Sequence, residues 1–496
     1  MREAVGEKAA RYGHSPTAFY TKQLLSTQTF RITMIYLAID FGGGSGRVIA
    51  GKLENGKLEM ELIHRFPNRQ VRLGNHVYWD FLALFEDMKT GLKMAGAKGL
   101  KVDGIAIDTW GVDFGLIDQD GNLLGNPVCY RDARTKGMPE EVFKQIDPSA
   151  HYAINGTQVM EINTLFQLYS LKKANSPQLE KAAHLLFTPD LFSYYLTGEA
   201  NNEYTIASTS ELLNATTKDW DWETIDQLGL PRHIFGKIVM PGTVRGKLRR
   251  DIAEETGLGE VDVIAVGSHD TASAVAAVPA TEDEYPMAFI SSGTWSLLGV
   301  EIEKPILTEE ARKAEFTNEG GIGGRITFLQ NITGLWIMQR LMAEWKENGE
   351  EQQFDVILPL AEEAHINAII PVDDAAFQNP ASMQQAIIDY CATHQLQVPQ
   401  TKAEIVRCVL QSLAAKYAEA TAHLNEMLPQ PIKCMHIIGG GSQNKLLNRL
   451  TSEALGVPVI AGPIEATGMG NILTQALAKG EIKDIDELRA VVRQSI

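Results

Sequence analysis

One carboxylate is placed in the sequence where it could perform acid–base chemistry. His269, Asp270 and Thr271 follow the apolar run Val263 to Val266 and precede small residues, so they stand at the end of a buried strand. Polar residues at a strand end either cap the next helix or line a site. A carboxylate there could take a proton from a hydroxyl group within hydrogen-bond reach. This segment alone leaves both interpretations open.

A glycine-rich segment early in the chain is typical of a phosphate-binding turn. Asp40-Phe-Gly-Gly-Gly-Ser-Gly-Arg47 leaves the apolar run Ile35 to Ile39 and enters a second strand at once. Its glycines permit positive φ and close approach of the backbone, so consecutive N–H groups could surround an anion. We expect Asp40 to hold magnesium through water and Arg47 to reach a transferring phosphate. An ordinary glycine-rich hairpin is the alternative.

Two later segments repeat this pattern of strand and small-residue turn. Phe289-Ile-Ser-Ser-Gly-Thr294-Trp-Ser296 adds hydroxyl groups to one glycine, which predicts a second phosphate clamp facing the first. Ile437-Ile-Gly-Gly-Gly-Ser-Gln-Asn444 ends a strand and opens a helix. Glycines without side chains leave a flat slot there for a purine and ribose. A tight strand-to-helix turn without a ligand is the alternative interpretation of the same sequence.

A fifth segment groups aromatic and charged residues after a strand. Asp108-Thr-Trp-Gly-Val-Asp-Phe114 is followed by Tyr130-Arg-Asp-Ala-Arg134. A polyol needs several directional hydrogen-bond partners and a ring for its C–H face, which this group could supply. A core tryptophan with surface ion pairs is the competing interpretation.

Two other nucleotide-binding motifs are excluded. Gly46 to Lys52 has Walker A spacing, but Leu53 stands where a Ser or Thr would contact magnesium, and no helix follows. No intact G-x-G-x-x-G follows a strand, so a dinucleotide-binding fold is not supported.

The elements that must position these segments recur in two halves. Strands at residues 35–39, 47–50 and 58–64 precede a helix from Phe81 to Leu92, capped by Asp80, and a strand at 104–108. After Tyr285, strands at 287–290 and 297–300, a long helix from Ile405 to Leu428 and a strand at 434–438 give a similar order. This predicts duplicated α/β halves, with domains at 34–280 and 281–496 and a seam near 279–286. Residues 1–33 are expected to lie outside the fold as a disordered extension, either a start-site extension before Met34 or a targeting segment.

Composition narrows the class of protein. The chain has 496 residues, 44% hydrophobic and 22% charged, enough for more than one core. Its formal charge of -17 argues against a nucleic-acid partner, which would require excess Lys and Arg. No apolar run approaches a membrane span, so we expect a soluble, cytoplasmic protein, monomeric or a small homo-oligomer. The cysteines lack CxxC spacing and His partners, which indicates a reducing compartment and no zinc site, although pairing of Cys391 with Cys408 stays open.

Taken together, the chain resembles the FGGY family of carbohydrate kinases over about residues 35–490. The resemblance is carried by Asp40–Arg47, Asp108–Phe114, Tyr130–Arg134, Ser268–Thr271, Ser291–Ser296, Asn331–Trp336 and Gly439–Asn444, which keep the family's order. It implies an α/β fold of two duplicated ribonuclease-H-like domains of the actin/hexokinase/Hsp70 type, with a catalytic cleft between them. One departure is Gly44, where the family's turn more often carries Ser.

The resemblance implies a role for individual residues. Asp270 would be the general base of an ATP-dependent sugar kinase, and Asp40 and Asp270 would hold Mg2+ through water. The implied ATP contacts are Gly43, Gly44, Ser45, Gly46, Arg47, Thr294, Gln339 and Gly440. The implied sugar contacts are Gly111, His269, Asp270, Thr271 and Asn331. The Asp108–Phe114 and His269–Thr271 strings resemble the branch that phosphorylates L-rhamnulose at C1.

Three alternatives share part of this pattern. A related kinase for fuculose, xylulose or another polyol would differ only in the sugar pocket. A nucleotide switch of the actin or Hsp70 kind would share the glycine turns without needing His269-Asp270-Thr271. A catalytically silent sugar sensor would bind ketose and release no ADP.

Overall fold

The computed structural model describes residues 33–496, so the expectation for residues 1–33 lies outside the described residues except at Thr33. In the first half the strands are β1 (Met34–Phe41), β2 (Ser45–Glu54), β3 (Lys57–Pro67), β4 (Gln70–Leu73), β5 (His76–Trp79), β6 (Gly104–Thr109), β7 (Phe114–Ile117), β8 (His184–Phe187), β9 (Asn202–Glu203), β10 (Leu213–Asn214), β11 (Asp219–Trp220), β12 (Ile238–Val239), β13 (Val244–Lys247) and β14 (Asp262–Ile264). Its helices are α1 (Phe81–Ala97), α2 (Met138–Val142), α3 (Pro148–Asn155), α4 (Thr164–Lys173), α5 (Pro177–Lys181), α6 (Thr188–Thr197), α7 (Tyr204–Ala207), α8 (Trp222–Gln227), α9 (Arg250–Thr256) and α10 (Asp270–Ala276).

The second half continues in the same α/β style. Its strands are β15 (Met287–Ser292), β16 (Trp295–Ile302), β17 (Thr317–Gly320), β18 (Ile326–Thr333), β19 (Cys434–Ile438) and β20 (Val459–Ala461). Its helices are α11 (Glu309–Lys313), α12 (Trp336–Glu347), α13 (Phe354–Glu363), α14 (Met383–Thr393), α15 (Lys402–Met427), α16 (Lys445–Leu455), α17 (Ala466–Ala478) and α18 (Ile485–Ser495).

The two main sheets share one topology over five of their six strands, while the sixth lies beside β14 in the first sheet and beside β18 in the second. The first has the order β13-β14-β6-β1-β2-β3 and the second β17-β18-β16-β15-β19-β20. In each, three strands pair antiparallel (β1-β2-β3 and β15-β16-β18), and two more strands add in parallel beside the first (β6 and β14, β19 and β20). The duplicated pattern predicted from the sequence is therefore confirmed.

Local sequence explains why the flanking helices begin where they do. Asp80 caps α1 by accepting a hydrogen bond from the Ala83 N–H, as its position predicted. Thr401 and Glu404 form a reciprocal capping box at the start of α15, the long helix whose apolar face lies in the second core. Both helices thus have defined first turns against their sheets.

Helix α17 connects the halves, because it packs on the first sheet although it lies near the chain's end. The Gln475 side chain donates to the Leu37 carbonyl of β1 at 3.1 Å. A Cβ on Gly470 would lie 1.8 Å from the Ser273 carbonyl oxygen, so α17 and α10 touch through their backbones. The position of α10, and with it of its first residue Asp270, is therefore fixed from both halves.

Two findings bear on the expectations from composition. Within residues 33–496 there is no helix both long and apolar enough to cross a membrane. Cys391 and Cys408 are free, buried thiols, so the pairing left open by the sequence is not formed.

Candidate active site

Asp270 is the first residue of α10, directly after its N-cap His269. Its Oδ1 accepts hydrogen bonds from the Thr271 N–H at 2.7 Å and the Thr271 hydroxyl at 3.3 Å, which orients the carboxylate. About a third of the side chain, 32%, is exposed. Burial raises the pKa of Asp270 to about 6, and the neighbouring Asp40 carboxylate adds to the rise while His269 opposes it. The group is therefore accessible, oriented and more basic than an ordinary aspartate.

His269 stands between two carboxylates from different halves of the chain. Its Nδ1 lies 3.0 Å from Glu319 of β17, and its Nε2 lies 3.5 Å from Asp270 Oδ1. The Glu319 contact is an ion pair without hydrogen-bond alignment, since Nδ1 has no aligned partner within residues 33–496. Burial alone would lower the pKa of His269, but the surrounding carboxylates, Glu319 foremost, raise it to about 9. A positive charge therefore sits beside Asp270 at neutral pH.

The backbone before α10 is anchored by a buried glutamate. Glu203 accepts hydrogen bonds from the Ser268 N–H at 3.2 Å and the Thr205 hydroxyl at 2.5 Å. The Thr205 hydroxyl in turn accepts from the His269 N–H at 3.1 Å. Burial raises the pKa of Glu203 to about 7. These contacts fix the main chain at the point where the site's polar residues begin.

Asp40 and Arg47 face each other across the β1–β2 pair, as their register requires. The Arg47 guanidinium donates to Asp40 and also to Glu465, which precedes α17. Burial alone would lower the pKa of Arg47, but the two carboxylates outweigh it and raise that pKa above the ordinary value. The predicted phosphate-contacting arginine is therefore held between the halves by a residue that sequence reasoning missed.

Asp108 adds a third carboxylate, in parallel register with Asp40 on the neighbouring strand β6. It is fully buried, and its Oδ2 accepts a hydrogen bond from Asn471 of α17 at 2.6 Å. Its Oδ1 has no partner among the described residues. Burial raises the pKa of Asp108 well above its usual range, and the charges of Asp40 and Asp270 add to the effect. Three carboxylates thus repel one another at the carboxyl ends of β1, β6 and β14.

The first glycine turn, residues 42–46, differs in one respect from its prediction. None of its glycines has a positive φ. A Cβ at Gly43 or Gly44 would meet no atom of residues 33–496 within 4 Å, so the described part of the chain leaves open space above the turn. Gly46 is required for another reason, because a Cβ there would lie 2.2 Å from the Phe66 ring. Ser45 opens β2, and its carbonyl accepts from the Gly42 N–H at 2.9 Å.

The second and third turns, residues 291–294 and 439–441, lie against each other. A Cβ on Gly441 would lie 1.9 Å from the Ser292 hydroxyl oxygen. The Thr294 hydroxyl donates to Gln339 Oε1 of α12 at 3.1 Å, which joins two predicted ATP contacts. At Gly440 an added Cβ would have no atom of the described residues within 4 Å. These turns form one continuous surface of small residues.

The predicted sugar contacts lie on both halves. A Cβ on Gly111 would lie 3.2 Å from the Thr209 side chain, whose hydroxyl accepts from the Val112 N–H at 3.0 Å. Asn331 of β18 donates through Nδ2 to Gln158 of the first half at 3.0 Å. That bond fixes the amide plane of Asn331 and leaves its oxygen as an acceptor.

The aromatic segment is more deeply buried than a sugar platform would be. Trp110 is only 7% exposed and packs on Trp79 with ring centroids 4.2 Å apart. Both indole N–H groups donate to Asp113 Oδ2, at 3.0 and 2.6 Å, and Gln167 donates to Oδ1 at 3.0 Å. Arg134 holds Gln167 in turn at 2.7 Å. The core-tryptophan interpretation is therefore the right one, with a buried hydrogen-bond network in place of surface ion pairs.

The chemistry that fits this arrangement is proton removal by Asp270 close to a turn of small residues. Asp40 and Asp270 fit a divalent cation, because their mutual repulsion and the unpaired Asp108 oxygen would be relieved by positive charge. Magnesium prefers carboxylates with several retained waters, which agrees with a cation held through water.

Comparison with known proteins gives the context of this site. The family model of the N-terminal domain of FGGY carbohydrate kinases matches residues 35–277, and that of the C-terminal domain matches residues 288–479. Among curated relatives, the rhamnulokinase of Bacteroides thetaiotaomicron is 45% identical over 93% of this chain and 94% of that protein. The rhamnulokinase of Oceanobacillus iheyensis is 41% identical over 92% and 96%.

Solved structures with low identity share the fold. A ligand-bound xylulose kinase from Lactobacillus acidophilus superimposes with a TM-score of 0.76 at 16% identity, covering 92% of each chain. The Plasmodium falciparum glycerol kinase with ADP gives a TM-score of 0.75 at 15% identity, covering 94% of this chain and 93% of that one. Both are similar to this chain over its two halves.

Proposed function

The chain belongs to the FGGY family of carbohydrate kinases, and from this premise we propose that it transfers the γ-phosphoryl group of ATP to the C1 hydroxyl of L-rhamnulose, a step of L-rhamnose catabolism. The products are L-rhamnulose 1-phosphate and ADP. The choice of sugar is supported by relatives named rhamnulokinase that are 38–45% identical and matched over most of their length. The same proposal assigns domains to residues 34–280 and 281–496 and places the enzyme in the cytoplasm.

The position of Asp270 is the observation that carries the proposal. Its carboxylate is partly exposed, oriented by Thr271 and next to Asp40. A pKa of about 6 leaves most of the group ionised at pH 7 and makes it a stronger base than an ordinary aspartate. We assign Asp270 the role of taking the proton from the sugar hydroxyl as its oxygen bonds to phosphorus.

Positioning is the other task of this chain's residues. Phosphoryl transfer needs mainly alignment and stabilisation of charge on the phosphoryl oxygens. Arg47 supplies a positive charge beside the open Gly43 and Gly44, and Thr294 with Gln339 lines the opposite turn. His269 and Asn331 present polar groups to the sugar from the two halves. The reacting hydroxyl is thereby placed next to Asp270.

Magnesium, held by Asp40 and Asp270 through water, would neutralise charge on the nucleotide phosphates. Asp40 is suited to this role because it lies next to both Asp270 and Arg47. Contacts between the halves, such as the ion pair of His269 with Glu319, would help exclude water, which competes with the sugar as acceptor.

A ketose panel tests activity and substrate together. ADP release is measured with ATP, Mg2+ and each of L-rhamnulose, L-fuculose and D-xylulose, and without sugar. We expect release with L-rhamnulose at a kcat/KM well above that with the other ketoses. Release with another ketose only would reject the substrate, and sugar-independent or absent release would reject the kinase in favour of a nucleotide switch or a sugar sensor.

A further inference from the structure

A second group of donor atoms lies at the opposite end of the second sheet from the glycine turns. Glu284, Cys434 and His436 bring a carboxylate oxygen, a sulfur and a ring nitrogen within 4.8 Å of one another. Cys434 is the first residue of β19, whereas the third turn follows the last residue of that strand. The catalytic mechanism uses none of these three residues.

Strand geometry explains why the group converges. Cys434 and His436 are two residues apart, so their side chains leave β19 on the same face. Met435 and Ile437 point to the other face, into the core formed with α15. The sequence expectation that the cysteines lack His partners is therefore wrong for Cys434. A Cys-x-His spacing brings the two side chains together only when the segment is a strand, and the sequence expectation did not apply that periodicity here.

The third residue is brought in by the chain that enters β15. The Lys433 N–H donates to the Pro286 carbonyl at 2.9 Å, which fixes the approach of this segment to β19. Glu284 Oε2 then lies 3.2 Å from His436 Nε2, and the Cys434 sulfur lies 3.8 Å from the Glu284 carbonyl. The Glu284 side chain is 24% exposed, whereas that of His436 is 1% exposed. Cys434 and His436 are thus buried, and solvent reaches the group at Glu284.

The donor atoms are of the kinds that bind a metal cation. The His436 ring, when neutral, offers a nitrogen lone pair to a metal. Its Nδ1 is buried and has no hydrogen-bond partner within the described part of the chain. Cys434 is a free, buried thiol, which would lose its proton on binding a metal. Arg489, one of two arginines on α18, is already paired with Glu301.

We propose that Glu284, Cys434 and His436 form a binding site for one zinc ion, with water in the fourth position. Thiolate, imidazole and carboxylate are the ligands that zinc takes in proteins, whereas magnesium and calcium prefer oxygen alone. Glu284 lies between the two matched family ranges, which end at residue 277 and begin again at residue 288. Bound zinc would therefore tie this connecting segment to the second sheet. The proposal is independent of the kinase function.

Zinc binding to the full chain tests the site. Equilibrium dialysis with Zn2+ is performed in excess Mg2+, which occupies sites built from oxygen ligands. We expect one zinc per chain, with affinity at least about tenfold weaker in Cys434→Ser. Cys391→Ser is the matched control, because it removes another buried thiol of the same half, and should bind as the unaltered protein does. Binding unchanged in Cys434→Ser, or no binding at all, would overturn the proposal.

Two further measurements keep the test decisive if a buried substitution disturbs folding. Co2+ in place of Zn2+ should give a thiolate-to-cobalt charge-transfer band that is absent in Cys434→Ser. Zinc should raise the melting temperature of the unaltered protein and of Cys391→Ser, with a smaller rise in Glu284→Gln, whose altered group is partly exposed. A cobalt complex without the band, or an equal rise in Glu284→Gln, would contradict the site.

Discussion

At the scale of single residues, Asp270 gains its character from neighbours in both halves of the chain. Burial and Asp40 make its proton harder to remove, while His269 partly compensates. His269 can do so because Glu319 keeps the ring positively charged. The pKa of Asp270 thus reflects opposed effects of neighbouring charges. Replacing one of these neighbours should change the catalytic rate more than it changes the stability of the fold.

Replacing the carboxylate of Asp270 by an amide should separate binding from transfer. We expect Asp270→Asn to lower kcat by about a hundredfold or more, the usual scale for a general base, while ATP binding is retained. Steady-state kinetics and nucleotide titration measure the two quantities. Asp118→Asn, at an exposed turn, is the control and should leave both unchanged. Near-normal turnover of Asp270→Asn would remove the residue from its assigned role.

The pKa of Asp270 also predicts the acid side of the pH profile. The carboxylate must be ionised to accept a proton, and its pKa of about 6 lies above the ordinary 3.8. We therefore expect kcat/KM to be constant above about pH 7, to halve near pH 6 and to approach a tenfold fall per pH unit below about pH 5, since that parameter reports the free enzyme. In Asp270→Asn the residual activity should show no such fall. A profile that is flat down to pH 5 in the unaltered enzyme would contradict the assignment.

At the scale of elements, the contact between α10 and α17 decides where Asp270 stands. The helices approach until the backbone of Gly470 meets the Ser273 carbonyl. Asn471, the next residue on α17, holds the buried Asp108. One helix thus supports two of the three acidic residues of the site without contacting substrate.

A methyl group at Gly470 should disturb this contact. We expect Gly470→Ala to lower the free energy of unfolding by about 1–3 kcal/mol, because the added Cβ would meet backbone that cannot move aside. Gly468→Ala is the control on the same helix, since its Cβ would meet only the flexible end of Ile49 at 3.0 Å. Thermal unfolding measures both. Equal melting temperatures for the two variants would show that the helices can separate without cost.

At the scale of the whole molecule, the sequence predicts the parts of the site that are local. Asp270 and the glycine turns are recognisable because each follows a strand within a few residues. Glu319, Glu203 and Gln158 are not recognisable in this way, because they reach the site only when distant segments fold together. Glu319 lies in the short, buried strand Thr317–Gly320. An acidic residue in a strand was the only sign in the sequence that this position belongs to a site.

Errors in the sequence interpretation have the same physical origin. Trp110 has the composition of a sugar platform, but its partners Trp79 and Asp113 place it in the core. Gly43 and Gly44 are residues typical of a turn with positive φ, but neither has a positive φ. Their lack of side chains instead leaves space open above the turn. Residue type therefore indicates that a position has a particular structural or functional role, and packing determines which role it is.

The contact between Gln158 and Asn331 crosses from one half to the other, which makes it a test of how the halves cooperate. Gln158 Oε1 accepts from Asn331 Nδ2 at 3.0 Å and from the Asn331 N–H at 3.3 Å. Without this acceptor the Asn331 amide is free to rotate, and the acceptor that it offers to the sugar is no longer fixed. One such hydrogen bond contributes about 0.5–1.5 kcal/mol.

We therefore expect Gln158→Ala to raise the KM for the ketose by roughly two- to tenfold and to leave the KM for ATP unchanged, because within the described residues no side-chain hydrogen bond joins this pair to the nucleotide turns. Gln145→Ala is the matched control, since that side chain is exposed and bonds only within the first half. If both KM values rise together, the contact serves general closure of the halves. If neither changes, Asn331 is positioned for the sugar by other means, and the assignment of Asn331 as a sugar contact must then be tested by its own replacement.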